Sequence, residues 1–166
     1  MRSTSTIADD LLESVQTKAD KLLLMSEIEV LMPTLYKVNG QTFEKTLRES
    51  IRPEISRIIL DTLQRYAIPL NDQQGRIKYF LETVKTALLE THSITITIAF
   101  KPDPASIGMI AEWAKKSLTF PVVIDVVYDP TIMGGAIISY GGSYKNLSVL
   151  KDLEAYFAPE ITHKPA

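Results

Sequence analysis

A change in hydrophobic period near Ser93 is the feature that most constrains the fold of this chain. From residue 93 to residue 99 the sequence is Ser-Ile-Thr-Ile-Thr-Ile-Ala. This alternation predicts a half-buried β-strand with Ile94, Ile96 and Ile98 on one face. Before this point, apolar residues recur at spacings of three and four, as in amphipathic helices. The chain therefore changes from helical to mixed structure at residue 93.

The two patterns together predict an α+β fold. We expect an N-terminal helical bundle followed by a small β-α-β-β-α domain, because each amphipathic helix and each half-buried strand needs a partner for its apolar face. The 166 residues are enough for two such domains. The predicted boundaries are residues 1–92 for the helical bundle, residues 93–158 for the α/β domain and residues 159–166 for a loose tail.

The helices of the bundle are predicted from apolar stripes and capping residues. Ser26 followed by Glu29 matches a capping box, so a new helix or a break is expected there, with Glu27 and Glu29 as helix-start acids. The stripe of the first helix consists of Ile7, Leu11, Val15, Ala19 and Leu22. The stripe of the last helix consists of Ile77, Phe80, Leu81, Val84 and Leu88.

The second domain is predicted element by element from pattern and turn residues. Trp113 lies in its first helix and is expected to pack partly on the sheet. After the strand at Ile94, the predicted elements are a helix over 104–118, strands over 121–128 and 136–140, a short return strand over 143–146, and a final helix over 147–157.

Composition excludes several classes of function. The chain has no cysteine, which excludes disulfides and thiolate metal sites, and a formal net charge of -2, which gives no basic stripe for nucleic acid. No apolar run is long enough to span a bilayer. His92 and His163 are the only histidines, and neither is paired in sequence with a nucleophile or a ligand cluster. We therefore predict no catalytic, cofactor-binding or metal-binding residue.

A motif between Tyr128 and Leu153 is the most specific signal in the sequence. Asp129-Pro130 predicts the end of a strand and a fixed turn. Gly134-Gly135 allows a tight bend or a close approach to a neighbouring backbone. The pair that begins at Gly141 is a hairpin signal, and Ser148 can cap a final helix. These roles shape a fold and require no chemistry.

This motif resembles the C-terminal signature of the ATP synthase delta subunit family, whose mitochondrial counterpart is the oligomycin-sensitivity-conferring protein. The resemblance covers about the last 65 residues of the chain. The residues at matching spacings are Asp129, Pro130, Ile132, Gly134, Gly135, Gly141, Ser148 and Leu153.

Some positions depart from the family pattern. Ser139 lies where the family usually has arginine, and Gly142 replaces an aspartate. Asn146-Leu147 replaces an Asp-Gly pair. The usual N-terminal helix motif of the family is not recognisable in this chain.

The resemblance implies a non-catalytic peripheral-stalk, or stator, subunit of a rotary proton-translocating ATP synthase. Its partners would be the N-terminal helices of the alpha subunits and the C-terminal end of the b subunit. It would lie at the cytoplasmic side of the plasma membrane in a bacterial-type complex, attached through its partners and without a span of its own. No cofactor is implied.

If partner helices dock in grooves of the bundle, some apolar stripe residues should remain exposed in the free protein. The residues we expect to contact partners are Ile7, Leu11, Val15, Phe80, Val84, Leu150 and Leu153.

Three alternatives remain open at this point. The E subunit of vacuolar- and archaeal-type ATPases has a related ending, but its first half is usually one long charged helix, which the prolines here disfavour. The chain could also be an unrelated α+β protein-binding adaptor. A small enzyme that uses carboxylates or a bound cofactor is the third alternative.

Overall fold

The computed structural model describes residues 8–36, 41–149 and 151–153, with the backbone alone at residues 9, 41, 42 and 73. The described chain falls into two compact units that divide between Thr91 and His92. Helices form the first unit, and a four-stranded sheet with one long helix forms the second. The α+β fold class predicted from the sequence is therefore confirmed. No helix among the described residues combines the length and apolar character that crossing a bilayer requires.

The first unit consists of short helices with their apolar faces turned inward. Its helices are α1 (Asp9–Glu13), α2 (Lys18–Leu31), α3 (Gln41–Glu49), α4 (Pro53–Arg65) and α5 (Lys78–Glu90). A 3₁₀ turn, Met32–Tyr36, follows α2, and a π-helical turn, Gln73–Ile77, precedes α5. The side chains that are almost fully buried include Leu11, Leu24, Ile28, Phe43, Leu47, Ile59, Leu63, Phe80 and Leu81. Each contributes about 1.5–3 kcal/mol by leaving water.

A capping box breaks the stripe that the sequence predicted as one first helix. Thr17 Oγ1 accepts from the amide of Asp20 at 3.1 Å, and the Asp20 carboxylate accepts from the amide of Thr17 at 3.0 Å. These reciprocal bonds satisfy the first amides of α2 and start a new helix there. The predicted box at Ser26 is wrong, because Ser26 lies inside α2 and its hydroxyl donates to the carbonyl of Leu23 at 2.7 Å.

Glu27 is a buried partner of Arg52 and not a helix-start acid. Its side chain is 7% exposed, and its carboxylate accepts from the Arg52 amide at 3.0 Å and from the guanidinium Nε and Nη2, each at 2.9 Å. Arg52 is the N-cap residue of α4, and Pro53 occupies the first turn of that helix. The carboxylate of Glu27 therefore lies at the positive end of the α4 dipole and joins α2 to α4. Its hydrogen bond raises the pKa of Arg52.

The second unit is a mixed sheet in which β1 is an inner strand. Its elements are β1 (His92–Ile98), α6 (Pro104–Ser117), β2 (Val122–Tyr128), β3 (Gly135–Tyr140) and β4 (Ser143–Ser148). The strand order is β2-β1-β3-β4, with β1 parallel to β2 and antiparallel to β3. Strands β3 and β4 form an antiparallel hairpin. The three strands predicted at 94, 121 and 136 therefore share one sheet.

Helix α6 covers the apolar face of this sheet. Asp103 caps α6 by accepting from the amide of Ser106 at 2.7 Å, and Pro104 occupies its first turn. Trp113, which we expected to pack partly on the sheet, lies on α6 and is 54% exposed. The buried cluster under α6 contains Ile94, Ile96, Ile98, Ala111, Ala114, Val122 and Ile124.

The hairpin is longer than predicted, and the final helix starts later. Leu147 and Ser148 belong to β4, where they pair with Ala136 and Gly135. Residues 149 and 151–153 are helical, and the rest of the helix predicted over 147–157 lies outside the described residues. The return strand extends because the backbone of Gly135 can approach β4 closely, as described below.

We expect Glu27→Gln to destabilise the first unit by about 2 kcal/mol, because it removes the charge-assisted bonds to Arg52 and leaves a partly buried guanidinium without its anion. Urea unfolding followed by far-ultraviolet circular dichroism would measure the change. Glu29→Gln is the matched control. The Glu29 side chain is 63% exposed and lies 3.7 Å from the ammonium of Lys85, so this substitution should change stability by less than about 0.5 kcal/mol. Equal effects of the two substitutions would contradict this role of Glu27.

Candidate functional site

The motif identified in the sequence starts at Asp129, with a turn that side-chain hydrogen bonds stabilise. The Asp129 carboxylate accepts from the Thr131 hydroxyl at 2.7 Å and from the Thr131 amide at 2.9 Å. These two bonds lower the pKa of Asp129, because they stabilise the charged form. The amide of Asp129 donates to the carbonyl of Ile98 at 2.9 Å. Pro130 then opens a 3₁₀ turn, Pro130–Ile132, which carries the chain away from β2.

Three consecutive residues with positive φ form the bend that follows. The φ angles are 61° at Met133, 150° at Gly134 and 75° at Gly135. A Cβ at Gly135 would lie 2.2 Å from the carbonyl oxygen of Leu147, so only glycine permits this approach of β3 to β4. The amide of Val149 donates to the carbonyl of Gly134 at 3.1 Å, which ties the residue after β4 to the same bend.

The other motif residues lie on the same hairpin. Gly141 and Gly142, with φ angles of 56° and 80°, form the two-residue turn between β3 and β4, as a type I′ turn requires. Ser148 is 2% exposed, pairs with Gly135, and accepts from the amide of Lys151 at 3.4 Å. The structure thus brings the motif together as one turn, bend, hairpin and return strand.

Four apolar side chains around the bend are exposed, and we call them the bend patch. The bend patch consists of Met133, Leu147, Val149 and Leu153, which are 65%, 51%, 45% and 38% exposed. A Cβ at Gly134 would lie 3.1 Å from Val149 Cγ2, so the bend and the helical residues after β4 are in contact. Leu153 follows Val149 by one helical turn.

Most of the predicted partner-contacting residues lie in the core. Leu11, Val15, Phe80 and Val84 are at most 3% exposed, so the expectation that these side chains remain exposed in the free protein is wrong. Their stripes face the other helices of the bundle, which bury them. Leu153 is exposed and belongs to the bend patch. Ile7 and Leu150 lie outside the residues whose side chains the structure describes.

A surface groove runs between the start of α1 and the outer face of α5. It encloses about 380 Å³ and is lined by Ala8, Tyr79, Glu82, Thr83, Thr86, Ala87 and Glu90. The Thr83 hydroxyl donates to the carbonyl of Tyr79 at 2.8 Å, so its proton is used within α5. The middle of this α1–α5 groove therefore presents small side chains, with Tyr79 at one end and Glu90 at the other.

The groove residues were missed in the sequence, although they carry a detectable signal. The small residues of α5 recur at helical spacing on the face opposite its buried stripe. We predicted docking on the first and last helices of the bundle, and the groove lies on those two helices. The apolar stripes on which we predicted partner contacts lie on other faces of these helices, because an apolar stripe marks the buried side.

His92, the histidine that the structure describes, shows no arrangement typical of catalysis. His92 is exposed at the start of β1, and its ring meets those of Phe120 and Tyr140 edge-on, at centroid distances of 5.2 and 5.7 Å. His163 lies outside the described residues. Within the part of the chain that the structure describes, no three His, Cys, Asp or Glu side chains converge as a metal site would require.

The chain matches no protein-family model and no curated protein. One similar solved chain belongs to the cryo-EM structure of the Toxoplasma gondii mitochondrial ATP synthase hexamer, with a TM-score of 0.32 and 12% sequence identity. The similarity covers 98% of this chain and 100% of that chain. A likeness at this level is too low to carry a functional argument.

Thr131→Val should raise the pKa of Asp129, because valine has no hydroxyl to donate to the carboxylate. Only the hydrogen bond from the backbone amide of residue 131 would remain. The lowered pKa stabilises the turn above the ordinary aspartate pKa, and this contribution is lost as the pH falls through the lowered value. Carboxyl-carbon NMR titration would report the shift. Asp103, whose pKa is lowered by Ser106, serves as an internal control and should titrate unchanged.

Gly135→Ala should destabilise the second unit by about 3 kcal/mol, since its Cβ would collide with the carbonyl of Leu147 in a backbone conformation that is already strained for alanine. Gly141→Ala is the matched control: its φ is also positive, but a Cβ there meets no atom within 4 Å, so about 1 kcal/mol is expected. Trp113 is the single tryptophan, and its fluorescence in urea would follow this unit. A smaller loss for Gly135→Ala than for Gly141→Ala would contradict the account.

Proposed function

We propose that the chain is a non-catalytic stator subunit of a rotary proton-translocating ATP synthase. In this role it would connect the catalytic head to the b-subunit stalk, at the cytoplasmic side of a bacterial plasma membrane. The observation that carries the proposal is the motif from Asp129 to Ser148. It resembles the delta-subunit signature, and its residues form one continuous structural feature in which each has a defined backbone role.

The α1–α5 groove is the proposed contact with the head. In helix-in-groove recognition an amphipathic helix lays its apolar face into a groove, and small side chains in the groove let the partner helix approach closely. Thr83, Thr86 and Ala87 supply such a surface along α5, and Ala8 supplies it at the start of α1. An N-terminal helix of an alpha subunit is the partner that the delta-subunit resemblance implies for this unit.

The bend patch is the proposed contact with the end of the b subunit. Its four apolar side chains are exposed, and they lie on the bend, on β4 and in the helical residues after β4; the backbone of the bend is fixed by Gly134 and Gly135. Exposed apolar groups on a rigid support are typical of protein interfaces. The resemblance assigns the b-subunit end to this part of the chain, and two members of the patch, Met133 and Leu147, lie within the motif.

The proposed mechanism is mechanical. A stator subunit must resist torque without changing shape, so its useful properties are rigid contacts and tight partner binding. In the first unit, the buried pair of Glu27 and Arg52 fixes α2 to α4. In the second unit, the close approach of Gly135 to Leu147 fixes the hairpin. Neither feature requires a reacting group.

Two alternative functions are an E-like ATPase subunit and an unrelated binding adaptor. An E-like subunit is disfavoured, because the first half of the chain contains several short helices, whereas that subunit usually begins with one long charged helix. An unrelated binding adaptor would use the same two surfaces with other partners. A binding experiment with the ATP synthase partners therefore separates the stator role from the adaptor role.

We expect the full chain to bind both an alpha-subunit N-terminal peptide and a C-terminal b-subunit fragment from the same organism. Thr86→Trp should fill the groove and weaken alpha binding by about tenfold or more, while leaving b binding unchanged. Leu153→Asp should weaken b binding and leave alpha binding unchanged, because it places a charge in the bend patch. Isothermal titration calorimetry would measure each affinity.

Met109→Asp is the control for both variants. Met109 is 68% exposed on α6 and lies outside the groove and the patch, so both partners should bind this variant normally. If neither partner binds the unaltered chain, the stator proposal is overturned. If both variants lose both partners, the assignment of one surface to each partner is wrong.

A further inference from the structure

The geometry points to a charge preference in the α1–α5 groove: it favours a partner helix that carries a lysine or arginine, and Glu90 is the residue that pairs with this cation. This inference rests on the proposed function, because it takes the groove to be a docking site for a helix. It adds the chemistry of the partner and names one residue that recognises it.

The groove has the length of a short helix. Its lining follows α5 from Tyr79 to Glu90, which at 1.5 Å per residue is about 16 Å, or three helical turns. Thr83, Thr86 and Ala87 lie between these ends and allow a second helix to approach closely. A helix with small or apolar side chains on one face would therefore fit along the groove.

The charges on the groove are acidic. Among the described residues, the lining contains Glu82 and Glu90 and no lysine or arginine. Glu82 is paired with Lys78 at 3.6 Å, so its charge is partly compensated within the helix. Glu90 forms no ion pair among the described residues. The uncompensated charge therefore lies at the Glu90 end of the groove.

Glu90 is the last residue of α5, where the helix dipole is negative. The ammonium of Lys21 donates to the carbonyl of Thr91 at 2.7 Å and compensates the carbonyl groups at this helix end. Lys21 forms no ion pair with the carboxylate of Glu90 among the described residues, so this carboxylate remains available to a cation on a docked helix.

Charge complementarity thus selects one occupant. The groove should take a helix with small or apolar residues on one face and a lysine or arginine beside that face. A helix with glutamate at the same place would bring two anions together. A neutral helix would gain only the apolar contact.

Two synthetic helices test the inference directly. Each has 16 residues with alanine and leucine on one face; the first carries flanking lysines and the second carries glutamates at the same positions. Fluorescence anisotropy with the full chain should give an affinity about tenfold higher for the lysine helix. Glu90→Gln should weaken binding of the lysine helix about three- to fivefold and reduce its salt dependence.

Glu49→Gln is the matched control. Glu49 is the last residue of α3 and is 63% exposed, at 3.9 Å from Lys45, but it does not line the groove. This variant should bind both synthetic helices as the unaltered chain does. Thr86→Trp should abolish binding of the lysine helix, since it fills the groove.

The outcomes separate this inference from the stator proposal. If the lysine helix binds through Glu90 while the alpha-subunit peptide does not bind, the charge preference stands and the stator proposal fails. If the alpha-subunit peptide binds equally well to the Glu90→Gln variant, the charge preference is overturned and the stator proposal stands. Equal affinity for the lysine and glutamate helices, or self-association of the chain through the groove in sedimentation experiments, would also overturn the charge preference.

Discussion

Hydrogen bonding along both sides of β1 places every other element of the second unit. On one side β1 pairs in parallel with β2, which requires the crossover that α6 provides. On the other side it pairs antiparallel with β3, whose first residue makes the close approach to β4. The isoleucines of β1 lie in the cluster under α6. A shift of β1 by one residue would move those side chains to the opposite face and remove the core.

Elements with a strong period or a turn signal could be predicted from the sequence, and local hydrogen bonds could not. The alternation at 94–98 predicted β1, and the paired glycines predicted the bend and the hairpin. The break before α2 was missed, because Thr17 followed by Asp20 differs from the usual glutamate or glutamine pattern of a capping box. Glu27 was misinterpreted, since its partner Arg52 is 25 residues away in sequence.

The candidate groove could be predicted only in part, for a geometrical reason. A stripe of apolar residues identifies which face of a helix is buried, and so it indicated the inward faces of α1 and α5 through Leu11 and Phe80. A groove, in contrast, depends on the distance between two helices separated by about 70 residues of chain and on side chains too small to fill it. Thr83 and Thr86 line a groove only when Ala8 lies opposite them. Helix pairing must therefore be known before such a surface can be recognised.

The position of β2 at the edge of the sheet has a consequence for the chain before folding is complete. Six of its seven residues are apolar or aromatic, and Asp125 in the middle is the one charged residue. Short apolar segments with high strand propensity can join equivalent segments of other chains as they leave the ribosome or refold. A single carboxylate in such a segment disfavours stacking of identical copies. By this reasoning Asp125 lowers the tendency of unfolded copies of the chain to associate through β2, whatever it contributes to the stability of the finished fold.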